Sequence, residues 1–187
     1  LYTGLVSAGV VETRDQAKVA MLSAMYGGTT GDGGRLLPRL AKAYPAAIAM
    51  VDAAARAGER GEQVRTWLGR TSPPGRRDAQ QQQARAWGRF TRNFIVQGTA
   101  AEWALCWLGG IRGRLSAAFD GPFPETVPHL VFFLHDEVIV HTPIEDAPRV
   151  AEIIHEAAAD AGRLLFGQRP AVFPLTCVTV EHYAAAK

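Results

Sequence analysis

The sequence predicts an α+β chain with helices and strands segregated along it, and three observations predict it. Most of the residues up to Ala118 read as helices punctuated by Gly and Pro. Two strand-like apolar runs, His129–Leu134 and Val138–His141, are separated only by His135-Asp136-Glu137, and an amphipathic helix with a strand-like run closes the chain. Blocks of helix followed by a hairpin point to an antiparallel sheet beside long helices, not to the strand–helix alternation of a parallel sheet.

Thr13 is an N-cap candidate, and Arg14–Met25 contains no Gly or Pro, which predicts a helix ended by Gly27-Gly28. Thr29–Gly34 reads as a turn-rich loop. Leu36–Ala43 and Pro45–Ala57 read as two short helices, since Pro45 suits a first helical position and Gly58 a stop. Val64, Thr66 and Leu68 alternate with Arg65 and Trp67 at the period of a strand, and Thr71-Ser72-Pro73-Pro74-Gly75 breaks it, so a hairpin is expected there. Asp78 is placed to cap a long helix through Gln80–Gln83 and Arg89 to about Val96, with Gly98 marking a bend. A second apolar helix, Thr99–Ala118, carries Trp103, Cys106 and Trp107 and is closed off by Pro122 and Pro124. Glu145–Phe166 is amphipathic with Val150, Ile153, Ile154 and Ala157 inward, and Val172–Val180 reads as a final strand.

With 187 residues, 48% apolar and a formal charge of +2, the chain has the make-up of one or two globular domains, which excludes a disordered segment. No run approaches the ~18 uncharged apolar residues of a membrane-spanning helix. Two cysteines, Cys106 and Cys177, make no disulfide framework and fit a reducing compartment. The opening Leu1-Tyr2-Thr3 lacks Met and a basic n-region, so it reads as a cut from a longer chain, not a signal peptide. Charge is unevenly spread. Arg56–Arg92 holds nine arginines against Glu59, Glu62 and Asp78, a net +6, and Asp120–Asp160 holds nine acids against Arg149, a net −8. That pattern suits a polyanion held near a cation site; two solvated faces of opposite sign give the same count.

Three constellations carry chemistry. Arg14, Lys18, Leu22 and Tyr26 follow one another at four-residue steps, which places them along one side of a helix. Two cations one turn apart suit a chain of phosphates, Arg as a planar fork and Lys as a point charge, and Tyr26 offers a flat face for a base. Solvated cations on a surface helix with a core Tyr have the same spacing. Arg89, Asn93 and Gln97 repeat the four-residue step before Gly98-Thr99-Ala100-Ala101. Their donors match the acceptors that base pairs show in the minor groove, and a polar helix face matches as well. His135-Asp136-Glu137 puts carboxylates at the end of apolar strands, where they need exposure, a partner or a metal. A hard cation such as Mg²⁺ takes one or two carboxylates with water and substrate phosphates; a polar turn is the plainer reading. His129 and His141 read as strand residues, not ligands. Among other chemistries, the Gly-x-Ser-x-Gly elbow, His-Glu-x-x-His, Cys-x-x-Cys and a phosphate loop ending in Gly-Lys-Ser/Thr are all missing from the sequence.

These residues also carry a family likeness. Arg14-x3-Lys18-x7-Tyr26-Gly27 resembles motif B of the family A DNA polymerases, the DNA polymerase I family. Val64-Arg65-Thr66-Trp67-Leu68-Gly69-Arg70 resembles that family's hairpin between fingers and palm. Arg89-x3-Asn93-x3-Gln97-Gly98-Thr99-Ala100-Ala101 is similar to its minor-groove-reading palm helix, and Leu134-His135-Asp136-Glu137-Val138 to its motif C. The four blocks stand in the family's order across nearly the whole chain. The resemblance implies a helical fingers part over residues 1–78 and a palm part with an antiparallel sheet and long helices over 79–187. It implies DNA-templated transfer from a deoxynucleoside triphosphate to a primer 3′-hydroxyl, with two Mg²⁺ ions. Asp136 would then be a metal ligand and Glu137 its acidic neighbour at the metal site. Arg14 and Lys18 would hold the triphosphate, Lys18 also protonating pyrophosphate, with Leu22 and Tyr26 beside the incoming nucleotide. Arg89, Asn93, Gln97 and His135 would hold the primer-template DNA. A role in replication or repair, a cytoplasmic, nucleoid-associated place in a bacterial cell, no membrane, and a monomer within a longer polypeptide are further implications.

Two departures qualify it. Motif A, which carries the family's other metal-binding Asp, lies well upstream of motif B, and only thirteen residues precede Arg14. The 187-residue piece is therefore expected not to extend primers alone. Leu22 stands where the family usually has Phe or Tyr, so altered sugar discrimination is expected, and the ending His182–Lys187 is assigned no role. A single-subunit phage-type RNA polymerase shares motif B but has His-Asp-Ser at motif C. A non-catalytic DNA-binding module is the other alternative.

Overall fold

The computed structural model describes residues 2–26, 31–121, 126–167 and 171–186. Its first helix, α1 (Tyr2–Ser7), leads into α2 (Arg14–Tyr26). Thr13 caps α2: its Oγ1 accepts the Gln16 N–H at 3.2 Å. The Gln16 side-chain oxygen accepts in return from the N–H of Thr13 at 3.3 Å and of Glu12 at 2.9 Å, so the helix start is closed by a reciprocal capping box. Gly27-Gly28, expected to end it, lie outside the described residues.

The next helix, α3, runs Gly31–Ala43, so the loop expected through Gly34 is already helical from Gly31. Glycine propensity loses to packing here. Leu36 and Leu40 are buried with Leu5, Val10, Val11, Ala17 and Ala20, and that amphipathic face supports the helix beyond what its residues would sustain alone. α4 (Pro45–Glu59) starts with Pro at its first turn and ends where the Arg60 N–H reaches Arg56 O and Ala57 O.

Over Val64–Ser72 the expected hairpin shrinks to one bridge, Arg65↔Thr71. Thr66 N donates to Arg70 O at 2.9 Å, and the Thr66 hydroxyl accepts from Arg70 N at 3.0 Å. Ser72 N donates to Val64 O at 2.9 Å, its hydroxyl accepts from Val64 N at 3.1 Å, and Gly69 turns the chain at φ 90°. Buried hydroxyls thus satisfy backbone groups that a longer ladder would have used, and Pro73-Pro74 cannot extend one.

α5 is a single 38-residue helix, Gln81–Ala118, which corrects two expectations. Asp78 does not cap it: its carboxylate accepts from Arg76 at 3.1 and 3.3 Å. Gly98 does not interrupt it. A Cβ there would stand 2.3 Å from the Thr66 methyl, so Gly98 is the place where the 64–72 loop lies against the helix. Pro122 and Pro124 lie outside the described residues.

The chain divides into two compact units, Leu1–Ala100 and Ala101–Lys187, and α5 contributes to both. In the first unit α4 meets α5 at near backbone contact. The Thr91 hydroxyl donates to Ala54 O at 2.8 Å, and a Cβ on Gly58 would stand 2.1 Å from Thr91 Oγ1. Buried Arg92 pairs with Asp52 at 2.7 Å.

In the second unit, Trp103, Trp107, Ile111 and Leu115 recur every four residues along α5. They pack on Val150, Ile153, Ile154, Ala157, Ala158 and Ala161 of α6 (Ala147–Phe166), as the amphipathic pattern predicted. The Trp107 indole N–H donates to Ile154 O at 3.0 Å. β1 (His129–Leu134) and β2 (Glu137–His141) form a two-stranded antiparallel sheet, with Leu130, Val138 and Val140 against that core. A bulge falls between Leu130 and Phe132.

Val172–Val180 is not a strand. Phe173 stacks on Trp103 with ring centres 4.2 Å apart and Leu175 packs on the core, so side chains hold this segment without a ladder. The α+β class with long helices stands. Among the described residues no helix is long and apolar enough to cross a membrane.

Candidate functional site

Each of the three constellations is displayed within one unit. On α2 Ala17 and Ala20 are buried, whereas Arg14, Lys18 and Leu22 are exposed. The small alanines let α2 sit close to its neighbours without drawing the cations inward. The Arg14 guanidinium lies 5.4 Å over the Tyr2 ring, a cation–π contact that fixes the start of the cationic row. Tyr26 ends α2, and its side chain lies outside the described residues.

Arg89, Asn93 and Gln97 share a side of α5 with Arg89 and Gln97 exposed and Asn93 half-buried. The Asn93 Oδ1 is buried with no hydrogen-bond partner among the described residues, a state that disfavours the fold by about 1–3 kcal/mol. Trp87, Phe90 and Phe94 run alongside, with ring centres 4.7 and 5.8 Å apart and Phe90 exposed. Six residues beyond Asn93, the Thr99 hydroxyl accepts the Trp67 N–H at 3.1 Å, tying the 64–72 loop to the same helix. Trp67 and Leu68 are exposed between Arg65 and Arg70.

The nine arginines of Arg56–Arg92 divide by partner. Arg60, Arg76 and Arg92 engage Glu62, Asp78 and Asp52. Donation from Arg60 holds the Glu62 carboxyl below its ordinary range, and donation from Arg76 does the same to Asp78. Among the described residues Arg65, Arg70, Arg85 and Arg89 enter no ion pair. Salt bridges thus take up Glu62, Asp78 and Asp52 and leave Arg65, Arg70, Arg85 and Arg89 exposed.

The hairpin tip is a two-residue turn, since Leu134 pairs with Glu137 and Glu137 already belongs to β2. The expected three-residue tip is corrected accordingly. Such a turn needs positive φ, usually from Gly or Asn, and His135 supplies it at 55°. Val131, Phe132, Phe133 and Leu134 are exposed, so the outer part of the hairpin is not the buried pair of strands the apolar run suggested. Asp136 and Glu137 are exposed. The Tyr183 hydroxyl donates to Glu137 Oε2, so the ending to which the sequence assigned no role touches the acidic tip. The only trace in the sequence is a lone tyrosine after an apolar run.

Hard carboxylate oxygens on an exposed turn suit a cation such as Mg²⁺; Asp136 could serve as one ligand, and Glu137 accepts a hydrogen bond from Tyr183. Among the described residues no group of three or more His, Cys, Asp or Glu is gathered for a metal ion, so water and substrate would complete the shell. Compared with known proteins, the chain matches no family model and no curated sequence.

Proposed function

We propose that the chain is a fingers-and-palm segment of a DNA polymerase of the DNA polymerase I type. The reaction is nucleotidyl transfer: the primer 3′-oxygen bonds to the α-phosphorus of a deoxynucleoside triphosphate, the bond to the β-phosphate bridge breaks, and pyrophosphate leaves. The observation that carries the reading is the hairpin tip, where a positive-φ histidine in a two-residue turn exposes Asp136 beside Glu137. Asp136 would hold Mg²⁺, with Glu137, oriented by Tyr183, as the second carboxylate. When bound, the metal lowers the barrier by activating the hydroxyl and offsetting charge on the departing phosphates.

Arg14 and Lys18 grip the triphosphate from the exposed side of α2, and Lys18 delivers a proton to pyrophosphate. Leu22 and Tyr26 border the nucleotide. Arg89, Asn93, Gln97 and His135 hold the primer–template end, and Arg65, Arg70 and Arg85 add phosphate contacts that weaken with salt.

The test begins with fluorescence anisotropy of labelled primer–template DNA on this chain. Salt-sensitive binding, weakened by Arg89→Ala and by Gln97→Ala, is expected; indifference to both substitutions overturns the assignment of α5. Mg²⁺-dependent primer extension by a protein carrying this segment is expected to be lost with Asp136→Ala. Preferential use of ribonucleotides would favour the single-subunit RNA polymerase instead.

A further inference from the structure

At the end of the hairpin away from the tip, His129 and His141 stand directly opposite each other in the β1–β2 register. We propose that this pair is a bidentate site for a borderline divalent transition metal such as Zn²⁺ or Ni²⁺, independent of the polymerase reading. Two imidazoles on one tetrahedral ion at about 2.0–2.1 Å have ring centres roughly 5 Å apart. Here the centres are 5.4 Å apart with the planes at 58°.

One ring is already set for the task. His129 Nδ1 lies 2.8 Å from Val127 O. A carbonyl oxygen only accepts, so Nδ1 carries the proton and Nε2 of the neutral ring presents its lone pair. Metal-bound histidines are oriented in this way. His129 is half-buried and thereby anchored, whereas His141 is exposed and free to turn onto a shared ion. Five residue steps of β1, about 17 Å at strand rise, separate the pair from the carboxylate tip. The donor sets differ as well: imidazole selects Zn²⁺, Ni²⁺ or Cu²⁺, and carboxylate selects Mg²⁺. With no cluster of three or more ligating side chains among the described residues, water completes the shell. The consequence is a clip that joins β1 to β2 at the base of the hairpin.

Isothermal titration of the full chain with NiCl₂, in a Cys177→Ser background that removes the exposed thiol, tests the site. One equivalent is expected to bind, with affinity falling by about tenfold or more in His129→Ala and in His141→Ala as a two-point grip becomes single. His155→Ala and His182→Ala, both at exposed positions, are expected to leave it unchanged. Excess MgCl₂ is expected not to compete. Because a strand substitution can disturb folding, the thermal midpoint is read in parallel: Ni²⁺ raises it in the parent and in His155→Ala, but in neither strand variant. Absence of binding, binding that survives loss of either strand histidine, or displacement by Mg²⁺ overturns the proposal.

Discussion

Each of the two units is packed internally in a different way. In Leu1–Ala100, α5 is approached closely where its neighbours or it lack side chains: Gly58 of α4 faces Thr91, Gly88 faces Glu59 of α4, and Gly98 faces Thr66 of the 64–72 loop. In Ala101–Lys187, α5 and α6 touch mainly through bulk, with Trp107, Ile111, Leu115, Val150 and Ile153 in one buried cluster. The first arrangement leaves long polar side chains such as Arg89 and Gln97 on the outside of a closely applied helix. The second supports the hairpin that carries Asp136. The lesson is that the first unit is sensitive to added atoms and the second to removed ones.

The largest effect is expected from Trp107→Ala, which removes a side chain only 3% exposed together with its hydrogen bond to Ile154 O. A loss of about 3–5 kcal/mol in urea unfolding is expected, with hydrogen exchange rising in the second unit first. Exchange that rises first around α4 would break the comparison.

Gly58→Ala follows. The added methyl meets Thr91 Oγ1 at 2.1 Å, and about 1–3 kcal/mol of destabilisation is expected. The double variant Gly58→Ala/Thr91→Ala is expected to lose less than the sum of its single losses, because the two closest contacts, Oγ1 and the methyl, go with the Thr91 side chain. Strict additivity would show that the two residues do not meet.

Lys18→Ala and Asp136→Ala act at exposed positions in different units. Each is expected to change stability by no more than about 0.5 kcal/mol, while Lys18→Ala lowers triphosphate binding and Asp136→Ala lowers Mg²⁺-dependent extension by a protein carrying this segment. A large thermal shift in either variant would mean that the residue supports packing.

The smallest effect is a pH dependence in the first unit. Arg60 lowers the folded-state pKa of Glu62, and Arg76 that of Asp78. A depressed carboxyl contributes stability above its unfolded value, about 4, and loses it as pH falls through the folded value. The thermal midpoints of the parent and Glu62→Gln should therefore differ slightly at neutral pH and converge in acid. A gap that widens in acid would reverse the sign.

Periodicity made most of the helices legible. Thr13, the apolar positions of Glu145–Phe166 and the two runs flanking His135–Glu137 all mark elements that form. What escaped were features that depend on a distant partner. Gly98 reads locally as a bend, yet Thr66 occupies the space its missing side chain leaves. Asp78 reads as a cap but is drawn off by Arg76, two residues away. Val172–Val180 has a strand's composition, but Phe173 and Leu175 dock by their side chains and no ladder forms there. At the site, four-residue spacing already set Arg14, Lys18 and Leu22 on one side of α2. The contacts of Tyr2 and Tyr183 carry no signal in the letters.

By itself the sequence determined the helix periods, the hairpin with its acidic turn, the uneven charge and the residue types able to grip phosphate, because these follow from side-chain spacing and composition along a short stretch. Only the tertiary structure decided which arginines enter ion pairs, that His135 rather than a glycine turns the tip, and that two histidines twelve positions apart in sequence face each other. Those outcomes depend on which distant groups arrive within a few ångströms, and hydrogen bonds, ion pairs and close packing act only at that range.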